Sequence, residues 1–176
     1  SKVSYMPNLK FAAKPLPLDI HEKEIFQKTW SHRFIVTAAS THAFEEEIIL
    51  DGLQQILKDR PDVLLVLAPR HPRRIVEVVE LLEKRHLSFV RHSQRNTHHT
   101  PPETYQVYVV DTLGEMGLFY ALSPLVIMGG SFIPGIGGHN PIEPVLFGCC
   151  VMHGPFMDNA RDICTILGDG LHHTSK

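Results

Sequence analysis

Apolar residues follow two different spacings along the chain, and these spacings alternate from residue 33 onward. Short runs of consecutive apolar residues are typical of strands buried on both faces of a sheet, and the clearest cover about 34–38 and 63–67. Between them, apolar residues recur every three or four positions, which predicts a helix over 41–59. The same reasoning predicts further strands at 88–93, 105–111, 124–130 and 149–155, and further helices at 71–87, 113–123, 140–148 and from 158 onward.

The alternation of strands and helices indicates the fold class. Consecutive strand–helix units form parallel sheets that are covered on both faces, so we expect an α/β fold with a doubly wound, Rossmann-like parallel six-stranded sheet. In such sheets, ligands bind beyond the carboxyl ends of the strands. The residues that follow each strand are therefore the candidate site residues.

The first 30 residues differ from the rest of the chain. Pro7, Pro15 and Pro17 interrupt regular structure, and a short helix with Asp19 as its N-cap is predicted to follow. We expect residues 1–30 to form an interdomain linker and a leading helix, and residues 31–176 to form the ligand-binding domain.

The composition narrows the possible partners. The 176 residues carry 17 basic and 19 acidic side chains, so a nucleic-acid surface, which needs a basic excess, is not expected. No apolar run approaches the roughly 20 residues that span a bilayer, and no signal peptide is recognised. The twelve histidines and three cysteines lack metal-binding spacings such as HExxH or CxxC, so no metal is expected.

A glycine-rich loop precedes the predicted helix at 140–148. Without side chains, Gly137 and Gly138 would leave main-chain N–H groups accessible to a phosphate. The helix that follows is predicted to have Asn140 as its N-cap. The alternative is that the glycines form a tight turn with an ordinary helix cap. Glu143, on the first turn of that helix, is placed to accept hydrogen bonds from ribose hydroxyls, or else is a solvated acidic residue.

The loops after the first two strands carry further polar candidates. Arg70 suits bidentate binding of a phosphate or carboxylate, or a salt bridge on the rim of the sheet. Ser40 and Thr41 are expected to cap the following helix, or to donate hydrogen bonds to a phosphate there. Arg74, deeper in the next helix, is expected to be solvated.

Several nucleotide-binding and hydrolytic classes are excluded because their motifs are absent. The chain has no GxxxxGK followed by Ser or Thr, no GxGxxG after the first strand and no GxSxG. The glycine-rich loop comes late, after the fifth strand, which favours nucleotide or nucleotide-sugar binding by the C-terminal half of a two-domain transferase.

An ordered series of short motifs resembles one enzyme family. The motifs are Asn8-Leu9-Lys10-Phe11, Ala39-Ser40-Thr41-His42, Pro69-Arg70-His71-Pro72, Asp111-Thr112-Leu113-Gly114-Glu115, Gly129-Gly130-Ser131, Gly137-Gly138-His139-Asn140-Pro141-Ile142-Glu143 and Gly154-Pro155. In this order, over residues 8–165, they resemble 3-deoxy-D-manno-octulosonic acid (Kdo) transferase. The resemblance implies the C-terminal, donor-binding half of a GT-B glycosyltransferase, which moves Kdo from CMP-Kdo to a lipid A precursor in lipopolysaccharide synthesis.

The resemblance also implies roles for individual residues. Glu143 would bind the ribose, the loop 113–115 would face the cytosine, and Arg70 would offset the charge of the phosphate or of the Kdo carboxylate. Asn140 and the glycine loops would line the phosphate. The full donor-binding set implied in this way is Ser40, Thr41, Arg70, His71, Leu113, Gly114, Glu115, Gly130, Ser131, Gly137, Gly138, Asn140 and Glu143.

Other expectations follow from the resemblance alone. The acceptor site, the membrane association and the catalytic base belong to the family's N-terminal domain, so no catalytic residue is expected here and the domain alone is expected to be inactive. The whole protein would act at the cytoplasmic face of the bacterial inner membrane, without a cofactor or a metal.

The sequence departs from the family at Phe44, where glycine is usual, and at Leu113, where methionine is common. Two other functions remain open at this point. One is the donor domain of another GT-B enzyme, a transferase or epimerase that uses a UDP-sugar. The other is a non-catalytic nucleotide-binding module.

Overall fold

The computed structural model describes residues 16–94, 104–168 and 171–173. Strands β1 to β7 cover Phe34–Thr41, Val63–Pro69, Phe89–Arg91, Val107–Val109, Leu125–Met128, Cys150–His153 and Leu171–His173. Helices α1 to α6 cover Ile20–Thr29, Glu45–Ile56, Ile75–Lys84, Met116–Leu122, Ile142–Leu146 and Arg161–Leu167. The proline-rich part of the predicted linker, residues 1–15, lies outside the described residues.

The described strands form one parallel sheet with the spatial order β3-β4-β2-β1-β5-β6-β7. The six predicted strands are confirmed, and with them the doubly wound α/β architecture. Strand β7 is an addition at the edge of the sheet, where it pairs with β6. Two of its three residues are histidines, so no apolar run marks it in the sequence.

The direction of the chain across the sheet reverses at β1. This strand pairs with β2 on one side and with β5 on the other, and the chain reaches β5 only after it has completed β4. Loops at the carboxyl ends of two such strands run apart, and doubly wound proteins bind their ligands in the opening between them. The loops after β1 and β5 therefore border the candidate site.

Alternate residues of β2 belong to two separate cores. Leu65 and Leu67 pack with α2 and α3 on one face of the sheet, while Leu64 and Val66 pack with α1 and α4 on the other. Every residue of the strand is buried, because helices cover both faces.

The leading helix α1 is part of the second core. Its N-cap is Asp19, as predicted, and the Asp19 carboxylate accepts a hydrogen bond from the amide of Glu22 at 3.0 Å. Phe26 and Trp30 are almost fully buried, and Phe26 meets Tyr108 edge to face with the ring centroids 5.8 Å apart. The helix is thus held by the aromatic side chains on its inner face.

Two glycines let neighbouring loops pack backbone against backbone at the carboxyl rim. A Cβ atom at Gly129 would lie 2.3 Å from the carbonyl oxygen of Ser40, and one at Gly154 would lie 2.3 Å from the carbonyl oxygen of Ser131. The end of β1 and the loops after β5 and β6 therefore fit together only because side chains are missing at these contacts.

We predict opposite effects for alanine at two glycines of the fold. Gly129→Ala should destabilise it by on the order of 3 kcal/mol, because a rigid backbone atom occupies the space that the methyl group needs. Gly52→Ala should stabilise it by about 1 kcal/mol, because Gly52 lies inside α2 with nothing within 4 Å of a new Cβ. Urea unfolding of both variants measures the two changes, and equal effects would contradict this account.

Candidate functional site

The loops after β1, β2 and β5 meet at the switch point beside β1. The amide of Arg70 donates to the carbonyl of Thr41 at 2.9 Å, which joins the first two loops. The ring of His42 meets the ring of His71 edge to face, and its Nε2 lies 2.8 Å from Nε2 of His139. Residues from three separate loops thus line one part of the rim.

Thr41 and Ser40 have different roles from those predicted. The helix α2 begins at Glu45, and Thr41 is the last residue of β1. The buried Thr41 hydroxyl donates to Oε1 of Glu46 at 2.9 Å, and Ser40 occupies an irregularity of the strand with φ of 57°. The expectation that these residues cap the helix is wrong, and the Thr41 hydroxyl is already paired.

Glu45 is a fully buried carboxylate that holds the loop after β5. Its oxygens accept hydrogen bonds from the amides of Gly130, Ser131 and Phe132, at 2.7, 2.9 and 2.9 Å. A fourth hydrogen bond, of 3.0 Å, comes from the amide of His42. Charge-assisted hydrogen bonds of this kind compensate the carboxylate for its loss of water.

This arrangement corrects the expected role of Gly130 and Ser131. The amides that were assigned to a ligand phosphate donate to a carboxylate of the protein itself. The hydroxyl of Ser131 is also occupied, because it donates to the carbonyl of Met128 at 2.6 Å and accepts from the amide of Gly154 at 2.9 Å. In this structure these groups shape the rim and are not free donors for a ligand.

Gly137 and Gly138 form a tight turn that packs closely on its surroundings. Both have positive φ, 84° and 78°, and the amide of Gly138 donates to the carbonyl of Gly130 at 2.7 Å. A Cβ at Gly138 would lie 2.3 Å from the sulfur of Met157. The tight-turn alternative therefore explains both glycines, and the role in phosphate binding stays a prediction.

Glu143 carries a carboxylate without a partner among the described residues. The helix α5 begins at Ile142 with Pro141 as its N-cap, so the predicted N-cap Asn140 is wrong by one position, although the side-chain oxygen of Asn140 accepts a hydrogen bond from the amide of Ile142 at 3.1 Å. Glu143 is half-buried, and no hydrogen bond or ion pair joins it to another described residue. Burial raises the pKa of its carboxyl group above the usual value. Its oxygens are available to accept hydrogen bonds from a ligand.

Of the two arginines after β2, Arg70 keeps its guanidinium accessible, whereas Arg74 contradicts the expectation that it is solvated. Arg70 is exposed and forms no ion pair with any described residue, so the rim salt bridge that was an alternative for it is not observed. Arg74, expected to be solvated, instead binds both oxygens of the buried Glu46, at 2.8 and 3.3 Å, and also pairs with Glu77. The Glu46 pair anchors the loop that carries Arg70 and His71.

The loop after β4 has one fixed and two exposed positions. Glu115 accepts a hydrogen bond from the hydroxyl of Thr112, and its Oε1 lies 2.9 Å from Nε2 of the buried His92. Leu113 is 77% exposed, and Gly114 beside it is exposed too. The side chain of Leu113 and the main chain of Gly114 are therefore accessible to a ligand, whereas Glu115 is held in place.

Two kinds of feature are not found in the ranges that the structure describes. No group of three or more His, Cys, Asp or Glu side chains is arranged to hold a metal ion. No helix there combines the length and the apolar character that a bilayer crossing requires.

Comparison with known proteins relates this geometry to a family. The chain is 35% identical over 156 residues to the 3-deoxy-D-manno-octulosonic acid transferase of Rickettsia felis, which is 89% of the chain and 32% of that protein. It is 36% identical over 167 residues to that of Haemophilus influenzae, covering 94% of the chain and 38% of that protein.

A solved structure decides the assignment. The C-terminal CMP-Kdo binding domain of WaaA from Acinetobacter baumannii is 33% identical to the chain, with a TM-score of 0.80 over 89% of the chain and 82% of that domain. The chain belongs to the 3-deoxy-D-manno-octulosonic acid transferase family. It spans about a third of the length of the curated relatives that it matches. No protein-family model matches it.

Sequence reasoning missed the buried glutamates of this Kdo transferase domain, although the helical period contains a signal for them. Glu45 and Glu46 precede the buried Ile49 and Leu50 by four positions each, so they lie on the inward stripe of α2. The contact between His42 and His139 has no signal in the sequence, because only the folded loops after β1 and β5 bring the two rings together.

Phe44 shows why glycine is the expected residue at its position in this family. It precedes α2 with φ of 71°, a left-handed conformation that costs a side-chain-bearing residue about 1 kcal/mol, and its own side chain is 68% exposed. We predict that Phe44→Gly is about 1 kcal/mol more stable than Phe44→Ala, because only glycine adopts this φ without strain. Thermal unfolding of both variants measures the difference; a more stable alanine variant would contradict the strain.

A second prediction concerns the carboxylate of Glu45. The substitution Glu45→Gln should lower the free energy of unfolding by about 3 kcal/mol, because the amide nitrogen of glutamine cannot accept from the loop amides. The control Glu47→Gln, at an exposed position two residues further on, should change it by less than about 0.5 kcal/mol. Urea unfolding tests both, and equal losses would remove the special role of Glu45.

Proposed function

We propose that this chain is the CMP-Kdo donor-binding domain of a glycosyltransferase that transfers Kdo from CMP-Kdo to a lipid A precursor in lipopolysaccharide core biosynthesis. The observation that carries the proposal is the likeness to the WaaA domain, which is described as a CMP-Kdo binding domain. A TM-score of 0.80 at 33% identity extends over 82% of that domain, so the two share their fold over most of their length.

The chemistry of the rim supports an anionic nucleotide-sugar as the ligand. Arg70, next to His71, offers a guanidinium that has no ion-pair partner among the described residues, and this group suits a phosphate or a sugar carboxylate. Glu143 offers a carboxylate with no partner among the described residues, which suits the two hydroxyls of a ribose. The exposed main chain at Gly114 suits the edge of a base, and cytosine would bind there through main-chain groups.

The same residues suggest how the domain assists the transfer. When the bond from Kdo to the phosphate breaks, negative charge accumulates on the departing CMP, and the Arg70 guanidinium would stabilise it. The acceptor hydroxyl must lose a proton, and we assign the base to the part of the protein that the chain does not span. The proposed mechanism needs no cofactor or metal from this domain.

The activity of the whole protein is part of the proposal. The chain matches only 32% and 38% of the length of these two relatives, and acceptor binding and membrane association would belong to the remaining length. We therefore expect the 176-residue chain to bind the donor without turnover, and the whole protein to act at the cytoplasmic face of the bacterial inner membrane.

The test of the proposal is nucleotide binding by the chain, followed through the chemical shifts of its amide groups. CMP should bind more tightly than UMP, with shifts confined to residues near 40, 70, 114, 130 and 140. In Glu143→Ala the affinity for CMP should fall by about tenfold or more, because two hydrogen bonds to a charged group are lost. The affinity for 2′-deoxy-CMP should fall less, because one of those hydrogen bonds is already missing.

The matched control is Glu80→Ala, which removes an exposed carboxylate from α3 and should leave CMP binding unchanged. A preference for UMP would instead favour a transferase or epimerase that uses a UDP-sugar. Equal binding of both nucleotides would favour a nucleotide-binding module without this specificity. If Glu143→Ala binds CMP as tightly as the unaltered chain, Glu143 does not contact the nucleotide.

A further inference from the structure

Two histidines of the rim form a hydrogen bond with each other. Nε2 of His42 lies 2.8 Å from Nε2 of His139, with the ring planes inclined by 11° and the ring centroids 5.0 Å apart. Rings stacked face to face keep all their atoms about 3.5 Å apart, so two nearly parallel rings with nitrogens at 2.8 Å must lie almost in one plane. One Nε2 therefore donates its proton along the lone pair of the other.

This hydrogen bond fixes the number of protons that the two rings can hold. In the neutral pair, the accepting ring carries its proton on Nδ1 and the donating ring has a free lone pair on Nδ1. One added proton binds that lone pair, and the hydrogen bond between the rings remains. A second added proton would have to bind the nitrogen that accepts, and would break the bond. The pair is therefore built to carry one positive charge.

The pair lies where an anion can reach it. His42 follows β1 and His139 follows β5, so the pair spans the switch point, and both rings are half-buried. Neither Nδ1 has a hydrogen bond to another described residue. The ring of His139 packs on Gly130, where a Cβ would lie 2.9 Å from it. The charged and titratable groups around the pair are Glu45, Glu46, Arg70, His71 and Arg74.

We propose that the His42–His139 pair is an anion subsite of the donor pocket, which takes up one proton when it binds the phosphodiester of the donor. This inference rests on the proposed function. In the protonated pair both Nδ1 atoms are N–H donors, and the single positive charge adds to that of Arg70. The pair would thus become positively charged when the ligand binds and return to the neutral state when the ligand dissociates.

The direction of the pH effect follows from the surroundings. Burial lowers the pKa of both His42 and His139, and the neighbouring Arg70 lowers that of His139 further. The free pair is therefore mostly neutral at neutral pH. A bound anion raises the proton affinity of the pair, so the ligand must bind more tightly as the pH falls.

The experiment uses a ligand whose own charge is constant. Cytidine 5′-methyl phosphate is a phosphodiester that keeps one negative charge across this pH range, as the donor phosphate does, whereas CMP itself titrates near pH 6. For the 176-residue chain, calorimetric affinity should rise at least about threefold from about pH 7.5 to about pH 5.5. Cytidine, which has no phosphate, should show no such rise.

Variants separate a proton-binding role from a purely structural one. His139→Gln and His42→Gln keep a side chain that can form a hydrogen bond but cannot titrate, and both should lose the pH-dependent gain. His32→Gln, which replaces an exposed histidine ahead of β1, should keep it. Thermal unfolding checks that each variant is folded, and the pH dependence of the unaltered chain tests the proposal even if the variants are not.

Three outcomes would overturn the inference. If the affinity for the phosphodiester does not change with pH, binding takes up no proton. If the gain in affinity at low pH survives in both glutamine variants, the proton binds to other groups. In either case the proposed function stands, since the ligand still binds. Failure of the chain to bind any cytidine compound at either pH overturns the proposed function and this inference together.

Discussion

The rim of this sheet depends on a carboxylate that never meets solvent. Three consecutive amides after β5 point toward one spot, and hydrogen-bond acceptors must occupy it, because unpaired N–H groups in the interior are costly. Glu45 supplies that anion from the first turn of α2 and also accepts the amide of His42. The path of two loops is set by this one side chain.

The next residue of α2, Glu46, holds the loop on the other side of β1, between β2 and α3. Glu46 accepts from Thr41 and is held by two guanidinium nitrogens of Arg74. The loop between β2 and α3 therefore has a fixed root, from which Arg70 extends into solvent. Adjacent glutamates on one helical turn thus organise the neighbours on both sides of β1. Arg70 and Glu143, which have no ion-pair partner among the described residues, are those whose chemistry suits a ligand.

The sequence could predict the layers of the fold but not the internal partners of its rim. Strand β2 and helix α2 follow from the spacing of apolar residues, because burial on two faces or on one stripe leaves a direct pattern. The hydrogen bonds of Ser131 cannot be predicted from the sequence pattern. Its amide and hydroxyl bind Glu45, Met128 and Gly154, and of these Glu45 and Gly154 are remote in sequence. A role for Glu143 could be predicted only through the motif that it shares with a known family. Pairing of His42 with His139 required the loops to be placed in space.

The close packing at Gly129 and Gly154 has a consequence for how such a rim can change over evolutionary time. At these two glycines the end of β1 and the loops after β5 and β6 meet backbone to backbone, so no side chain fits between them. A residue inserted into one of them would displace the others. Variation in length is therefore easier to accommodate after β4, whose loop takes no part in these glycine contacts.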